Sequence, residues 1–238
     1  MAALSIDAAT YLLPIAAVMW LLRPRQETEQ RSSSRSAASL GTAWRGCGPT
    51  LRHVLRFTAL SCLVIFFHPA LAPVMAAKVL GPSPQDLGVF TSVLAAGSIT
   101  GGLVLRRWSA WISHRPGLLM GACTAVTALA QLGMAVSIHP AMSLAMAFVI
   151  GAGTAALLTG VNLIGQVGAP MVLRGRMAGM GQIAFLGGGG IGGLVAGVLT
   201  QRVGLPATLA LLGSIGLVLG LAELGRQGGL RLQAVRSA

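Results

Sequence analysis

The sequence carries little charge, and acidic residues are the scarcest. Only 9% of its 238 residues are charged, and five residues are aspartate or glutamate, whereas a soluble domain carries roughly 25% charged residues. The five carboxylates lie in loops or near the ends of apolar runs: Asp7, Glu27, Glu29, Asp86 and Glu223. Without a carboxylate pair, a Ser/His/Asp set or a phosphate-binding loop, the sequence does not predict an enzyme and offers no catalytic residue.

Cysteine is also sparse. The three cysteines, Cys47, Cys62 and Cys123, are far apart in the sequence and show no C-x-x-C or other metal-ligand spacing. We therefore expect no metal site, no disulfide framework and no cofactor. Within apolar runs, cysteine behaves as a small buried hydrophobic residue.

Apolar residues, by contrast, dominate the chain. They make up 54% of it, and the mean hydropathy is +0.78. The net charge of +12 is typical of nucleic-acid-binding proteins. Here, however, the basic residues lie in the gaps between apolar runs and form no exposed basic surface, so we expect no nucleic acid partner. The expected partner is the lipid bilayer.

The apolar runs predict an all-α polytopic membrane protein with about seven transmembrane helices, because about 20 apolar residues span a bilayer. The predicted spans are Ala8–Leu22, Phe57–Ala77, Leu87–Leu105, Gly117–Ile138, Ala141–Val167, Met177–Thr200 and Leu205–Leu224. The predicted regions are a first helix at 1–22, a basic cytoplasmic linker at 23–56, a six-helix bundle at 57–224 and a cytoplasmic tail at 225–238.

The basic residues test this topology. If seven spans alternate in direction, 15 of the 17 basic residues fall on one side, and the other side receives Lys78 and Arg202. Because basic loops stay in the cytoplasm, we expect the N-terminus outside and the C-terminus inside. The excess of arginine over lysine hints at a GC-rich bacterial genome, so we expect a multi-pass protein of a bacterial inner membrane.

The run from Pro170 to Thr200 is the richest in glycine. Part of it, Gly188 to Gly193, matches G-x-G-x-x-G, but a dinucleotide site needs a preceding strand and an acidic residue about 20 positions later. Small residues let membrane helices approach each other closely. We therefore predict that glycines of this span and of an earlier one pack against neighbouring helices. The predicted packing positions are Gly97, Gly101, Gly188, Gly189, Gly192, Gly193 and Gly197.

A charged motif precedes this span, and a long basic linker precedes the last six spans. The motif reads PMVLRGRMAGM. Together with the order of helices, it resembles the C-terminal half of a major facilitator superfamily transporter, in particular the drug and siderophore exporter branch that includes the enterobactin exporter. The resemblance implies two six-helix halves. The first apolar run then corresponds to the last helix of the N-terminal half, a remnant whose other helices are missing, and 23–56 corresponds to the central linker.

The resemblance also implies a substrate cavity lined by helices seven, eight, ten and eleven. Polar residues of the corresponding spans are His68, Thr91, Ser92, Asn162, Gln166 and Gln182. Histidine can carry a proton near neutral pH, so His68 is a candidate proton carrier, with a structural role as the alternative. Asn162 and Gln182 are candidates for substrate contact or for hydrogen bonds between helices. Gln131 lies on a helix expected to be peripheral, and we assign it to packing.

Two further features of the family can be compared with this sequence. Arg174, Gly175 and Arg176 correspond to a cytoplasmic gate loop, in which the arginines would pair with a carboxylate or a helix end. Their alternative role is topology and contact with phospholipid headgroups. The loop between helices eight and nine keeps Arg106 and Arg107 but has no aspartate, so the salt-bridged latch of that loop is not expected here.

These observations leave two hypotheses open. In the first, the chain is a truncated or half-length transporter that exports a small molecule by alternating access, with proton coupling as an option. The substrate is unknown, and a missing N-terminal half or a second copy in a homodimer would supply the opposite cavity wall. In the second, the chain is a non-transporting membrane interaction protein or an inactive gene remnant.

The topology can be checked with reporter fusions. We predict that alkaline phosphatase fused to the C-terminus is inactive in cells, because the arginine-rich side is cytoplasmic and the reporter needs an oxidising compartment to form its disulfides. The same reporter fused after Gly81, beside Lys78, should be active. An active C-terminal fusion would reverse the predicted orientation.

Overall fold

The structure, a computed structural model, describes residues 48–107, 115–169, 171 and 174–226. These residues form helices and no strand, and six spans are long and apolar enough to cross a membrane. The predicted all-α polytopic fold is thereby confirmed. The first predicted span, Ala8–Leu22, lies outside the described residues, as do most of the predicted linker and the tail from residue 227 onward.

In the described part, seven helices build the six spans, and the first span consists of two of them. The helices are α1 (Pro49–Ile65), α2 (His68–Val79), α3 (Pro84–Arg107), α4 (Pro116–Ala135), α5 (Pro140–Gly168), α6 (Arg174–Val203) and α7 (Leu205–Gly225). Proline occupies one of the first two positions of α1, α2, α4, α5 and α7. At that position the missing N–H of proline breaks no hydrogen bond within its own helix, and its fixed φ suits a helix start.

Two helix starts that carry arginine differ from the sequence prediction. The first described span begins at Pro49 rather than at Phe57, so the helix extends into the segment that was predicted as linker. α6 begins at Arg174 rather than at Met177. In both cases arginines occupy the first turns of a helix, where their charged ends can reach water from the membrane boundary. A hydropathy window excludes such turns because each arginine lowers the mean hydropathy, although the backbone is already helical there.

Glycines determine how two pairs of parallel helices approach. On α6, a Cβ added at Gly188 would lie 2.5 Å from the carbonyl oxygen of Ala59, and one added at Gly192 would clash with the carbonyl oxygen of Leu63. On α3, Cβ atoms added at Gly97 and Gly101 would clash with carbonyl oxygens of α5, namely those of Phe148 and Ala152. In each pair the contact positions advance by four residues on both helices, which is the small-xxx-small pattern of membrane helices.

α4 and α7 pack in opposite directions by the same means. A Cβ added at Gly220 would lie 2.7 Å from the backbone nitrogen of Ala125, and one added at Gly213 would lie 3.2 Å from the carbonyl oxygen of Ala128. The interior between the helices is filled by large apolar side chains that are almost fully buried: Ile65, Phe67, Met75, Phe90, Met120, Ile150, Leu157, Ile164 and Leu209. Many apolar side chains instead point outward, as a lipid-facing surface requires: Leu60, Ile99, Leu103, Ile183, Leu186, Leu194 and Val218.

The alternating helices give the bundle two unlike ends. The arginine-rich end holds the start of α1, α4 and α6 and the end of α3, α5 and α7. Its basic residues are Arg52, Arg56, Arg106, Arg107, Arg115, Arg174, Arg176 and Arg226. The arginine-poor end holds the opposite helix ends, and its basic residues in the described part are Lys78 and Arg202.

The glycine contacts predict a sharp contrast within α6. Gly192→Ala should destabilise the protein by about 1–3 kcal/mol, because the added methyl group meets a backbone carbonyl that cannot move aside. Gly197→Ala is the matched control, since nothing lies within 4 Å of a Cβ at that position. The measurement is the thermal unfolding midpoint of the purified protein in detergent. Equal midpoints for the two variants would contradict the packing of α6 on α1.

Candidate functional site

A break in the first described span is the least regular feature of the bundle. α1 ends at Ile65, and Phe66 adopts φ −110° and ψ 35° before α2 begins at His68. In a continuous helix, the carbonyl of Ile65 would accept a hydrogen bond from the N–H of residue 69. Residue 69 is proline and has no N–H. The break therefore leaves a carbonyl without its helical donor inside a membrane span, where water is absent.

The side chain of Gln131 supplies the missing donor. Its Nε2 donates a hydrogen bond of 3.0 Å to the carbonyl oxygen of Ile65. Gln131 lies on α4 and is only 1% exposed. The sequence assigned this residue to packing, but its amide also satisfies the backbone of another helix. Close to this contact, the hydroxyl of Thr124 donates to Ser61 Oγ at 3.3 Å, so two polar contacts join α1 and α4.

His68 is buried immediately after the break. It is the first residue of α2, and its ring packs edge-on against Phe66 with the ring centroids 5.1 Å apart. Three buried side-chain atoms of the described residues have no hydrogen-bond partner: His68 Nδ1, Gln131 Oε1 and Asn162 Oδ1. A buried polar atom without a partner costs free energy. A hydrogen-bonding ligand would therefore gain a partner at these atoms.

The six candidate cavity residues do not form one cluster. Asn162 is half-buried on α5 and faces α6, since a Cβ added at Gly181 would lie 3.6 Å from its Oδ1. Gln182 follows Gly181 and is also half-buried, and Gln166 is exposed one turn beyond Asn162. These three residues lie in the half of the bundle nearer the arginine-rich end.

Thr91 and Ser92 lie in the opposite half. Both are exposed on α3, and they are near its start at the arginine-poor end. The hydroxyl of Thr91 donates to the carbonyl of Leu87 in its own helix at 2.8 Å. At about 1.5 Å per residue, these residues and Asn162 are each about 10 Å from opposite ends of the bundle. The polar residues are thus spread along the bundle and do not surround one point.

Arg174, Gly175 and Arg176 form the first turn of α6 and not a loop. This corrects the predicted gate loop. Nε of Arg174 donates to the carbonyl oxygen of Ala169 at 3.4 Å, just past the end of α5. A cation is favoured at this position because the carbonyl end of a helix carries partial negative charge. The arginine therefore contacts the chain just past the end of α5, and its role in a cytoplasmic gate stays a prediction.

A pair between α1 and α7 was missed by the sequence analysis. Nε2 of His53 lies 2.9 Å from Oε1 of Glu223. Glu223 is 2% exposed and His53 is 30% exposed. A cavity of about 270 Å³ adjoins the pair and is lined by His53, Arg56, Phe57, Leu60, Leu219, Ala222, Glu223 and Arg226. The pair joins the first and last described helices at the arginine-rich end.

The two carboxylates of the described residues differ in role. Asp86 belongs to a local structure at the start of α3, where the hydroxyl of Ser83 donates to its Oδ2 at 2.6 Å and its own N–H donates to Ser83 Oγ at 3.2 Å. This reciprocal arrangement is typical of a helix N-terminus. Glu223 instead makes its contact across 170 positions of sequence. The sequence held a signal for that contact, because the alternating topology places the first turns of α1 and the last turn of α7 at the same, arginine-rich end.

A larger cavity of about 410 Å³ opens at the arginine-poor end. It lies between the end of α2, the turn at 136–139 and the start of α7, and its polar lining includes Lys78, Ser137, His139 and Ser143. Across the described ranges, no group of three His, Cys, Asp or Glu side chains could hold a metal ion. The structure therefore offers polar groups for a small molecule or a proton and no described metal centre.

A family model described as transmembrane secretion effector, which is of the major facilitator type, matches residues 1–232. A search of curated proteins found no match. The family match covers nearly the whole chain.

The His53–Glu223 pair predicts a stability difference. His53→Leu should lower the free energy of unfolding by about 1–3 kcal/mol, because it removes the 2.9 Å contact of a buried side chain. The loss should be smaller when Glu223→Gln is already present, since His53 then no longer faces a carboxylate. His139→Leu, at an exposed position of the arginine-poor end, serves as the control. If His53→Leu costs the same with either residue at position 223, the pair does not contribute as the geometry indicates.

Proposed function

Because this chain belongs to the transmembrane secretion effector family of the major facilitator superfamily, we propose that it exports a small amphipathic molecule by alternating access. It is a membrane transporter of the major facilitator type, and family membership points away from an enzyme. The proposed location is a bacterial inner membrane, with the arginine-rich end in the cytoplasm. This orientation is supported by the sorting of basic residues to that end.

The observation that carries the proposal is the set of polar side chains on the outside of the bundle. Thr91, Ser92 and Gln166 are exposed although they lie within membrane spans. Polar groups in membrane helices usually face a bundle interior or a water-filled cavity rather than lipid. We therefore propose that these faces border a cavity whose other wall is a second helical bundle, supplied by an N-terminal half or by a second copy of this chain.

A polar path of this kind suits alternating access. In transporters built from two bundles, the substrate site lies near the middle of the membrane and the bundles rock around it. Asn162 and Gln182, near the arginine-rich end, and Thr91 and Ser92, near the other end, would be exposed alternately. Asn162 and Gln182 would bind the substrate by hydrogen bonds, and His68 would carry a proton if export is coupled to the proton gradient.

Export can be tested with ethidium as an amphipathic probe. We expect cells that express the chain to lose preloaded ethidium faster than cells with an empty vector. A protonophore should abolish the difference if the proton gradient drives export. Equal loss from both cells, also when a separate N-terminal half is supplied, would favour the alternative of a non-transporting membrane protein.

Asn162 provides the sharpest test of substrate contact. Asn162→Ala should slow ethidium efflux several-fold without lowering the thermal unfolding midpoint, because the buried Oδ1 has no hydrogen-bond partner to lose within the protein. Thr100→Ala is the matched control, since the Thr100 hydroxyl donates to Ala96 of its own helix and lies about 180° around α3 from Thr91. A lower midpoint together with unchanged efflux would assign Asn162 to helix packing.

A further inference from the structure

Gln131 donates the hydrogen bond that a backbone N–H at position 69 would donate in a continuous helix. Pro69 cannot donate to the carbonyl of Ile65, and Gln131 Nε2 lies 3.0 Å from that carbonyl oxygen. The neighbouring backbone bonds show how local the gap is. The N–H of Phe66 still donates to Cys62 at 2.9 Å, and the N–H groups of Ala70 and Leu71 both donate to Phe67, at 3.1 and 3.3 Å. The chain is thus hydrogen-bonded on both sides of the break.

This contact cannot be replaced by solvent. Gln131 is almost completely buried on α4, and α1 and α4 are further joined by the contact between Ser61 and Thr124. In a membrane span, no water is available to donate a hydrogen bond to an unpaired carbonyl. The amide therefore contributes a donor that stabilises the break. A leucine or methionine would fill the same space and take this donor away from the carbonyl, which also has a hydrogen-bond contact with the His68 side chain.

We propose that Gln131 is a positioning residue that replaces the backbone donor lost at Pro69, and that it thereby holds the break that places His68 in the core. The hydrogen bond to Ile65 comes from a neighbouring helix and not from the same span. The angle between α1 and α2 consequently depends on the position of α4 relative to α1. Movement of α4 relative to α1 would release the carbonyl and change the angle of the break.

The role of this break in export rests on the proposed function. If the bundle rocks against a partner, α2 and α1 need not move as one rod, because Pro69 prevents a continuous helix. Two polar atoms without partners, His68 Nδ1 and Gln131 Oε1, are buried in this region. They provide spare hydrogen-bonding capacity for a second arrangement of the break. Gln131 would therefore affect export although it does not touch the proposed substrate path.

A double-mutant cycle tests the donor role. Gln131→Leu keeps an apolar volume and removes the donor, and we expect it to lower the thermal unfolding midpoint of the purified chain by about 2–4 °C. Pro69→Ala restores an N–H opposite Ile65, so in that background the same change should lower the midpoint by less than half as much. Equal losses in both backgrounds would overturn the proposal and assign Gln131 to packing.

Pro73→Ala is the matched control. Pro73 also lies within α2, but the carbonyl to which it cannot donate belongs to Pro69 and is not the one that Gln131 contacts. Gln131→Leu should therefore cost as much in the Pro73→Ala background as in the wild type. If Gln131→Leu prevents folding in the wild type, folding that returns only with Pro69→Ala supports the proposal. Failure to fold in both backgrounds overturns it.

Ethidium efflux separates the structural role from the transport role. Pro69→Ala should slow efflux while the unfolding midpoint is unchanged or raised, because the span becomes a continuous helix. Unchanged efflux in this variant would overturn the role of the break in export, even if the cycle of unfolding midpoints supports the hydrogen bond. If the wild-type chain moves no ethidium, the proposed function fails, and the unfolding cycle still decides the role of Gln131.

Discussion

The absence of water in the bilayer core is the constraint on which this structure depends. Every backbone N–H and C=O in the core must find a partner within the protein. A continuous helix satisfies this demand by itself, which explains why spans with many glycines, such as α6, remain helical. Where Pro69 interrupts the pattern, the partner has to come from elsewhere, and Gln131 supplies it from α4. A single side chain thus completes the backbone of a span to which it does not belong.

The same constraint explains why glycine is used so heavily. Between helices surrounded by lipid, burial of apolar side chains gives little driving force, so close contact between backbones becomes important. Gly188 and Gly192 let α6 reach the backbone of α1, and Gly97 and Gly101 do the same for α3 and α5. These contacts bring together helices that are distant in sequence. Small residues rather than large ones therefore determine which of these helices pack side by side.

Hydropathy predicted the six described spans because a membrane helix needs only length and apolar character. It could not predict which residues meet, because the rotation of each helix depends on its neighbours. His53 and Glu223 form a pair only when two helices far apart in the sequence are correctly rotated. Gln131 could be recognised as buried. Its partner could not be recognised, because the Ile65 carbonyl lacks its helical donor only as a result of Pro69, which lies on another span. The predicted cavity residues were polar and within spans, yet the structure places Thr91 and Ser92 in one half of the bundle and Asn162 in the other.

The row of glycines on α6 shows where a repeating pattern stops being informative. Gly189, Gly193 and Gly197 are spaced alike, and the sequence treated them alike. A Cβ at Gly189 would meet Phe66, and one at Gly193 would lie 2.9 Å from the Cβ of Ala70, but nothing lies within 4 Å of one at Gly197. The glycines run alongside the break between α1 and α2. Gly189 therefore contacts the end of α1 and Gly193 contacts α2, whereas Gly197 has no contact at this position. The spacing of small residues therefore indicates that helices approach each other, but it does not show that the approach continues past the break to Ala70 and is absent at Gly197.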